Sequence, residues 1–82
     1  MNHRKRFIQQ NQKCALTGEQ IFLSESRRTT QIMTASIDRI DPTKGYVIGN
    51  IQWVHIIVNY MKHKLTNEQF ISWCTKIHNY NS

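Results

Sequence analysis

The 82-residue chain carries eleven Lys and Arg against five Asp and Glu, giving a formal charge of +6 and a pI near 9.8. A chain this short holds one compact unit that buries only roughly 60–65% of its unfolded surface, and its apolar runs fall short of the ~18 residues of a membrane span. So strong a positive field makes a polyanion the natural partner, while no segment sustains the apolar stripe opposite a basic face that a membrane-surface helix requires.

The opening Met1-Asn2-His3-Arg4-Lys5-Arg6-Phe7 lacks the apolar stretch of a secretory leader. A cytoplasmic location follows as the expectation, with Cys14 and Cys74 as reduced, buried thiols rather than a disulfide. Residues 3–12 contain no Gly or Pro and set Phe7 and Ile8 among long polar side chains, which predicts a short basic helix. Residues 1–13 therefore read as a basic helical arm, with Arg4, Lys5 and Arg6 as candidate phosphate contacts. Further basic clusters lie at Arg27-Arg28 and Lys62-Lys64. Cys14-Ala15-Leu16-Thr17-Gly18 breaks the helix, Gly18 suits a tight turn, and Gln20-Ile21-Phe22-Leu23 reads as a short strand before a polar loop over 24–30.

Residues 32–40 are rich in β-branched and apolar side chains and predict a strand that ends at Asp41-Pro42-Thr43-Lys44-Gly45, a chain reversal. Tyr46-Val47-Ile48 and Ile51-Gln52-Trp53-Val54 predict a second strand, interrupted by a bulge or bend at Gly49-Asn50. Ile56, Ile57, Tyr60 and Met61 recur at helical spacing, so a helix is expected from about His55 to Lys64. Thr66-Asn67-Glu68-Gln69 has the form of a capping box and starts a helix over 66–80, with Phe70, Ile71, Trp73, Cys74 and Ile77 on its apolar face. Both Trp53 and Trp73 are expected in the core.

Cleaving a phosphodiester calls for a divalent ion to offset charge on the phosphate and for a group that activates water. Asp38, on the first strand, and Asn59, on the helix after the second, offer hard oxygen ligands that a strand packed against a helix can bring together. An Asp before a turn, as Asp38 and Asp41 are, more often caps the turn or forms a salt bridge than binds metal, and Asp41 is expected to do so, either pairing with Arg39 or capping the loop.

Taken together, Ser36-Ile37-Asp38-Arg39-Ile40-Asp41, Gly45-Tyr46, Gly49-Asn50-Ile51-Gln52-Trp53-Val54 and Asn59-Tyr60-Met61-Lys62 resemble the signature of the His-Asn-His (HNH) endonucleases. With Cys14-Ala15-Leu16-Thr17-Gly18 included, the resemblance covers about residues 14–77. It implies an α+β fold with a small ββα-metal core over 14–64, extended by N- and C-terminal helices within a single domain. It also implies a metal-dependent endonuclease that nicks or cuts double-stranded DNA, as in bacterial and phage members. Asp38 and Asn59 take the places of the metal ligands, for Mg²⁺ first, with Mn²⁺, Ni²⁺ or Zn²⁺ as other occupants. Asn50 takes the place of the central asparagine that braces the loop.

Arg39 departs from the pattern, because it stands where the family carries the histidine that activates water, and a guanidinium stays protonated. It can instead grip the scissile phosphate, leaving activation of water to the metal, His55, His63, Tyr46 or Asp41. His63 lies one helical turn after Asn59 and is a candidate third ligand or catalytic group. Lys62 and Lys64 flank the metal helix and are the stronger candidates for phosphate contact. The family's structural zinc, held by two Cys-x-x-Cys pairs, corresponds here to Cys14 with Thr17 and His55 with Val58. Only two of these positions can bind zinc, so no structural zinc is expected, and Phe22, Trp53, Trp73 and Cys14 are expected to supply the packing instead. The rival reading is a scaffold that has lost its base and serves as a DNA-binding or regulatory module. A double-strand cut would favour a two-fold homodimer.

Overall fold

The computed structural model describes residues 3–25 and 31–82, so Arg27 and Arg28 lie outside the described residues. Among them the chain forms an α+β fold: α1 (His3–Gln9), β1 (Ala35–Arg39), β2 (Ile51–His55), α2 (Ile56–Lys62) and α3 (Asn67–Asn81). β1 and β2 pair antiparallel, with Ala35 opposite His55, Asp38 opposite Gln52 and Arg39 opposite Ile51. α2 follows β2 directly and packs back on the sheet. His55, at its N-cap, uses Nδ1 to accept from the Ile57 amide, satisfying a donor that the first turn leaves unpaired.

The core is one cluster of Phe7, Cys14, Ile21, Ala35, Val54, Val58 and Phe70, drawn from every element and from the turn before β1. α1 is docked rather than a free arm. Phe7 is buried and meets the edge of the Trp53 ring at 5.6 Å and 73°, and the Trp53 indole donates to the His3 carbonyl. The Gln10 side-chain amide exchanges two 2.9 Å bonds with the Trp53 backbone, acting on β2 as a neighbouring strand's peptide would.

Several elements are shorter than the residue pattern predicts. α1 ends at Gln9 because Asn11 and Gln12 adopt φ of 57° and 59°, which reverses the chain toward the core. No strand forms at Gln20–Leu23. Gln20 makes one isolated bridge to Lys13, and the Phe22 amide bonds the Thr34 hydroxyl rather than a backbone carbonyl, so no ladder propagates. Tyr46, Val47 and Ile48 belong to the loop between the strands, because the Asn50 side chain satisfies that loop's backbone internally.

The helix faces also differ from expectation. α2 buries Val58 and Lys62, while Ile57, Tyr60 and Met61 are exposed. α3 begins with the expected capping box, Thr66 Oγ1 accepting from the Gln69 amide and Gln69 Oε1 from the Thr66 amide. It buries only Phe70 and half-buries Cys74, leaving Ile71, Trp73 and Ile77 in solvent. Trp73 is thus a surface residue with the Lys76 ammonium over its ring, not a core residue. Phe22 is half-buried, and Cys14 and Cys74 are free thiols. Among the described residues, no helix is long and apolar enough to cross a membrane.

Candidate functional site

The strand-strand-helix unit brings some of the polar residues of the sequence motif together. Register places Asp38 of β1 opposite Gln52 of β2, and the last turn of α2 brings Lys62 over both. The Lys62 ammonium lies 2.7 Å from Asp38 Oδ2 and 2.8 Å from the Arg39 carbonyl. Gln52 Nε2 donates to the same carboxylate oxygen at 2.9 Å. Lys62 is fully buried and Asp38 only 5% exposed. Gln52 reaches on to Asn67, the first residue of α3, through a reciprocal amide pair. The buried charge is therefore both paired and hydrogen-bonded, the condition under which an interior ion pair is tolerated.

Asn59 lies one turn earlier on α2 and turns its amide nitrogen toward β1, donating to Ser36 Oγ at 2.6 Å and the Ile37 carbonyl at 3.1 Å. The carbonyl can only accept, which fixes this orientation. Asn59 shares an open groove with Ser36, Tyr60 and His63. His63 has left the helix: it sits at φ 51° and ψ −114°, and its amide bonds the Asn59 carbonyl. With the Leu65 amide on the Lys62 carbonyl, the chain turns away at once.

The loop between the strands is held by Asn50, which is buried. Its Oδ1 accepts from the Asp41 amide, and its Nδ2 donates to the carbonyls of Asp41 and Gly45. Asp41 caps the turn through the amide and hydroxyl of Thr43, and these bonds, with Lys44 adding a smaller attraction, hold its carboxyl below the usual carboxylate range. Arg39 bends over this loop. Its Nη1 donates to the Lys44 carbonyl at 3.3 Å and its guanidinium lies 5.2 Å from the centre of the Tyr46 ring. Of the two roles open to Asp41, the geometry selects capping.

The expected site residues thus separate into distinct places. Asp38 and Lys62 form a buried pair, Asn59 and His63 line a groove beside it, and Arg39 and Asn50 belong to the loop. Lys62 is corrected from a phosphate contact to a buried partner of Asp38, since an ammonium with no exposed surface cannot meet DNA. Arg4, Lys5 and Lys64 are exposed, whereas Arg6 is half-buried with its Nε enclosed and without a hydrogen-bond partner. Gln52 and Ser36 were not singled out by the residue pattern: alternation with Ile51 and Trp53 reads as a polar residue facing solvent, and Gln52 is buried because Asp38 and Asn67 meet its amide across the fold.

Asp38 Oδ2 already meets one cation and one amide donor, and Asn59 directs a donor toward β1. Among the described residues, no three His, Cys, Asp or Glu side chains gather at a point that could hold a metal. The Cys14 turn is built differently again. Burial raises its thiol pKa, but hydrogen bonds from the Thr17 side chain and the backbone of His55, Leu16 and Thr17 outweigh this and bring it below its ordinary value.

No known family model, no curated protein and no solved structure matches this chain.

Proposed function

We propose that this chain is a module that binds double-stranded DNA without hydrolysing it, built on a ββα scaffold of the kind its HNH-like motif implies. The observation that carries the reading is the Lys62 ammonium seated on Asp38. In the resembling nucleases the aspartate at this position is a metal ligand; here it already has a cation, supplied by the chain itself. A divalent ion would have to expel that ammonium into a space with no exposure to water. Arg39 adds to the argument, because a guanidinium cannot take a proton from water.

DNA binding draws its support from charge. The net +6 resides on a small surface, and Arg4, Lys5, Lys44 and Lys64 are exposed on it. Each phosphate these residues neutralise would contribute about −0.9 to the slope of log affinity against log salt.

The test pairs duplex binding across a salt series with supercoiled-plasmid relaxation in Mg²⁺, Mn²⁺, Ni²⁺, Zn²⁺ and chelator. Salt-sensitive binding with intact plasmid in every metal is the expected result. Metal-dependent nicking that disappears in a folded Asp38→Asn or Asn59→Ala variant would overturn the reading in favour of the nuclease. Absence of duplex binding at low salt would overturn it altogether.

A further inference from the structure

The loop of residues 40–50 is more ordered than a connection between two five-residue strands requires. Asn50 ties it at Asp41 and Gly45, Asp41 ties it at Thr43, and the amides of Ile40, Lys44 and Asn50 bond carbonyls within the same loop. A loop so braced holds its side chains where they are. At its tip it holds Tyr46, Val47 and Ile48 in water, each more than half exposed at 58, 57 and 62%. Scattered apolar surface residues are ordinary, but three in succession on a rigid tip mark a contact surface.

The charges around that tip select its partner. Arg39 lies over the Tyr46 ring and Lys44 is exposed two residues away. The loop's acid, Asp41, is directed at Thr43. An apolar tip flanked by cations suits a partner that is anionic outside and apolar between its layers, which describes stacked base pairs beneath a phosphate backbone. Proteins that bend DNA from the minor groove insert apolar side chains between base steps in this way and kink the duplex by roughly 20–90°.

We propose that Tyr46, Val47 and Ile48 form a wedge that enters the minor groove of double-stranded DNA and opens a base step, with Arg39 and Lys44 on the flanking phosphates. This deepens the DNA-binding reading and rests on it. The site assigned is the Tyr46–Ile48 segment, in which Tyr46 acts as part of a wedge and not in activating water, and it needs neither a metal nor a catalytic base.

The experiment uses the full chain and a short mixed-sequence duplex carrying a fluorescence donor and acceptor at its ends. It compares the wild type with the triple variant Tyr46→Ser, Val47→Ser, Ile48→Ser, whose altered side chains lie outside the core. The wild type is expected to shorten the end-to-end distance. The variant, shown folded by circular dichroism, is expected to bind about tenfold or more weakly, since it lacks the apolar contacts that offset the unstacking of the step. Its salt slope should stay unchanged, because no cation is removed. A variant that binds and bends like the wild type would overturn the wedge while leaving DNA binding intact. So would a wild type that binds an unbent duplex, and so would a variant whose only change is a loss of self-association in light scattering. A wild type that fails to bind duplex would remove the DNA reading and the wedge together.

Discussion

Lys62 shows how one side chain changes the meaning of its neighbours. Its ammonium is fully buried, within 2.7 Å of Asp38 and 2.8 Å of the Arg39 carbonyl, so β1 and the end of α2 are joined through charge. Removing one partner leaves the other charge buried and unpaired, a loss of about 3–5 kcal/mol. Lys62→Met is therefore expected to lower stability by that amount in urea unfolding, and Asp38→Leu by a similar amount. The double variant should recover most of the loss, because an apolar pair of similar volume is often neutral or stabilising. Additive losses would show that the two residues do not interact. Asp41 has a different dependence. The Thr43 hydrogen bonds hold its folded carboxyl below the ordinary aspartate value, so its Thr43 cap is complete above the ordinary value and is lost as the pH falls through the lower folded one. The Thr43 amide resonance should therefore move only on acidification below about pH 4; movement near neutrality would refute the assignment.

At the scale of elements, the strained residue is His63. Its φ of 51° with ψ of −114° is a combination natural to glycine at the first central position of a type II′ turn, and the Leu65 amide on the Lys62 carbonyl completes that turn. The turn lets α2 stop immediately after Lys62 and lets α3 begin at Asn67. Strain of order 1–3 kcal/mol at such a residue exceeds the ~0.5–1 kcal/mol of chain entropy that glycine adds to the unfolded state. His63→Gly should stabilise the protein by about 1 kcal/mol, read as a higher urea midpoint with an unchanged slope. A lower midpoint would mean that the imidazole makes a compensating contact. Thr66→Ala offers the opposite sign. It removes the hydroxyl that accepts from the Gln69 amide and should cost about 1 kcal/mol.

At the scale of the whole molecule, side-chain contacts join elements that lie far apart in the sequence. The Lys62–Asp38–Gln52–Asn67 chain of contacts links α2, β1, β2 and α3, and the Cys14 turn closes through the Gly18 amide on the Cys14 carbonyl and joins β2 through the Ala15 amide on the Trp53 carbonyl. If these contacts hold the fold without an ion, the melting temperature will be the same with chelator as with Mg²⁺ or Zn²⁺, since a ligand stabilises only by binding the native state. A rise of several degrees with one metal would identify a native ion site and weaken the proposal that Lys62 fills it.

Much of this was legible in the residue order. Composition and charge pointed to a small basic protein, the resemblance implied the α+β class, and the capping box at Thr66, the reversal after Asp41 and the strand-strand-helix order follow from local signals, each set by neighbours a few residues apart. Asn50 was expected to brace the loop because the resemblance gives it the place of the central asparagine, and its donor and acceptor groups do serve the loop before it. The helix faces were not legible. Ile57, Tyr60 and Met61 have the spacing of a buried stripe, yet α2 buries Lys62 instead, because Asp38 on a distant strand supplies a partner that outweighs the preference of an ammonium for water. The same holds for Tyr46–Ile48, whose β-forming side chains end in a loop once Asn50 satisfies the surrounding backbone. What the sequence determined alone is what depends on nearby residues and total charge; the tertiary structure decided which polar groups meet across the fold, because a buried charge takes its place from its partner and not from its neighbours in the chain.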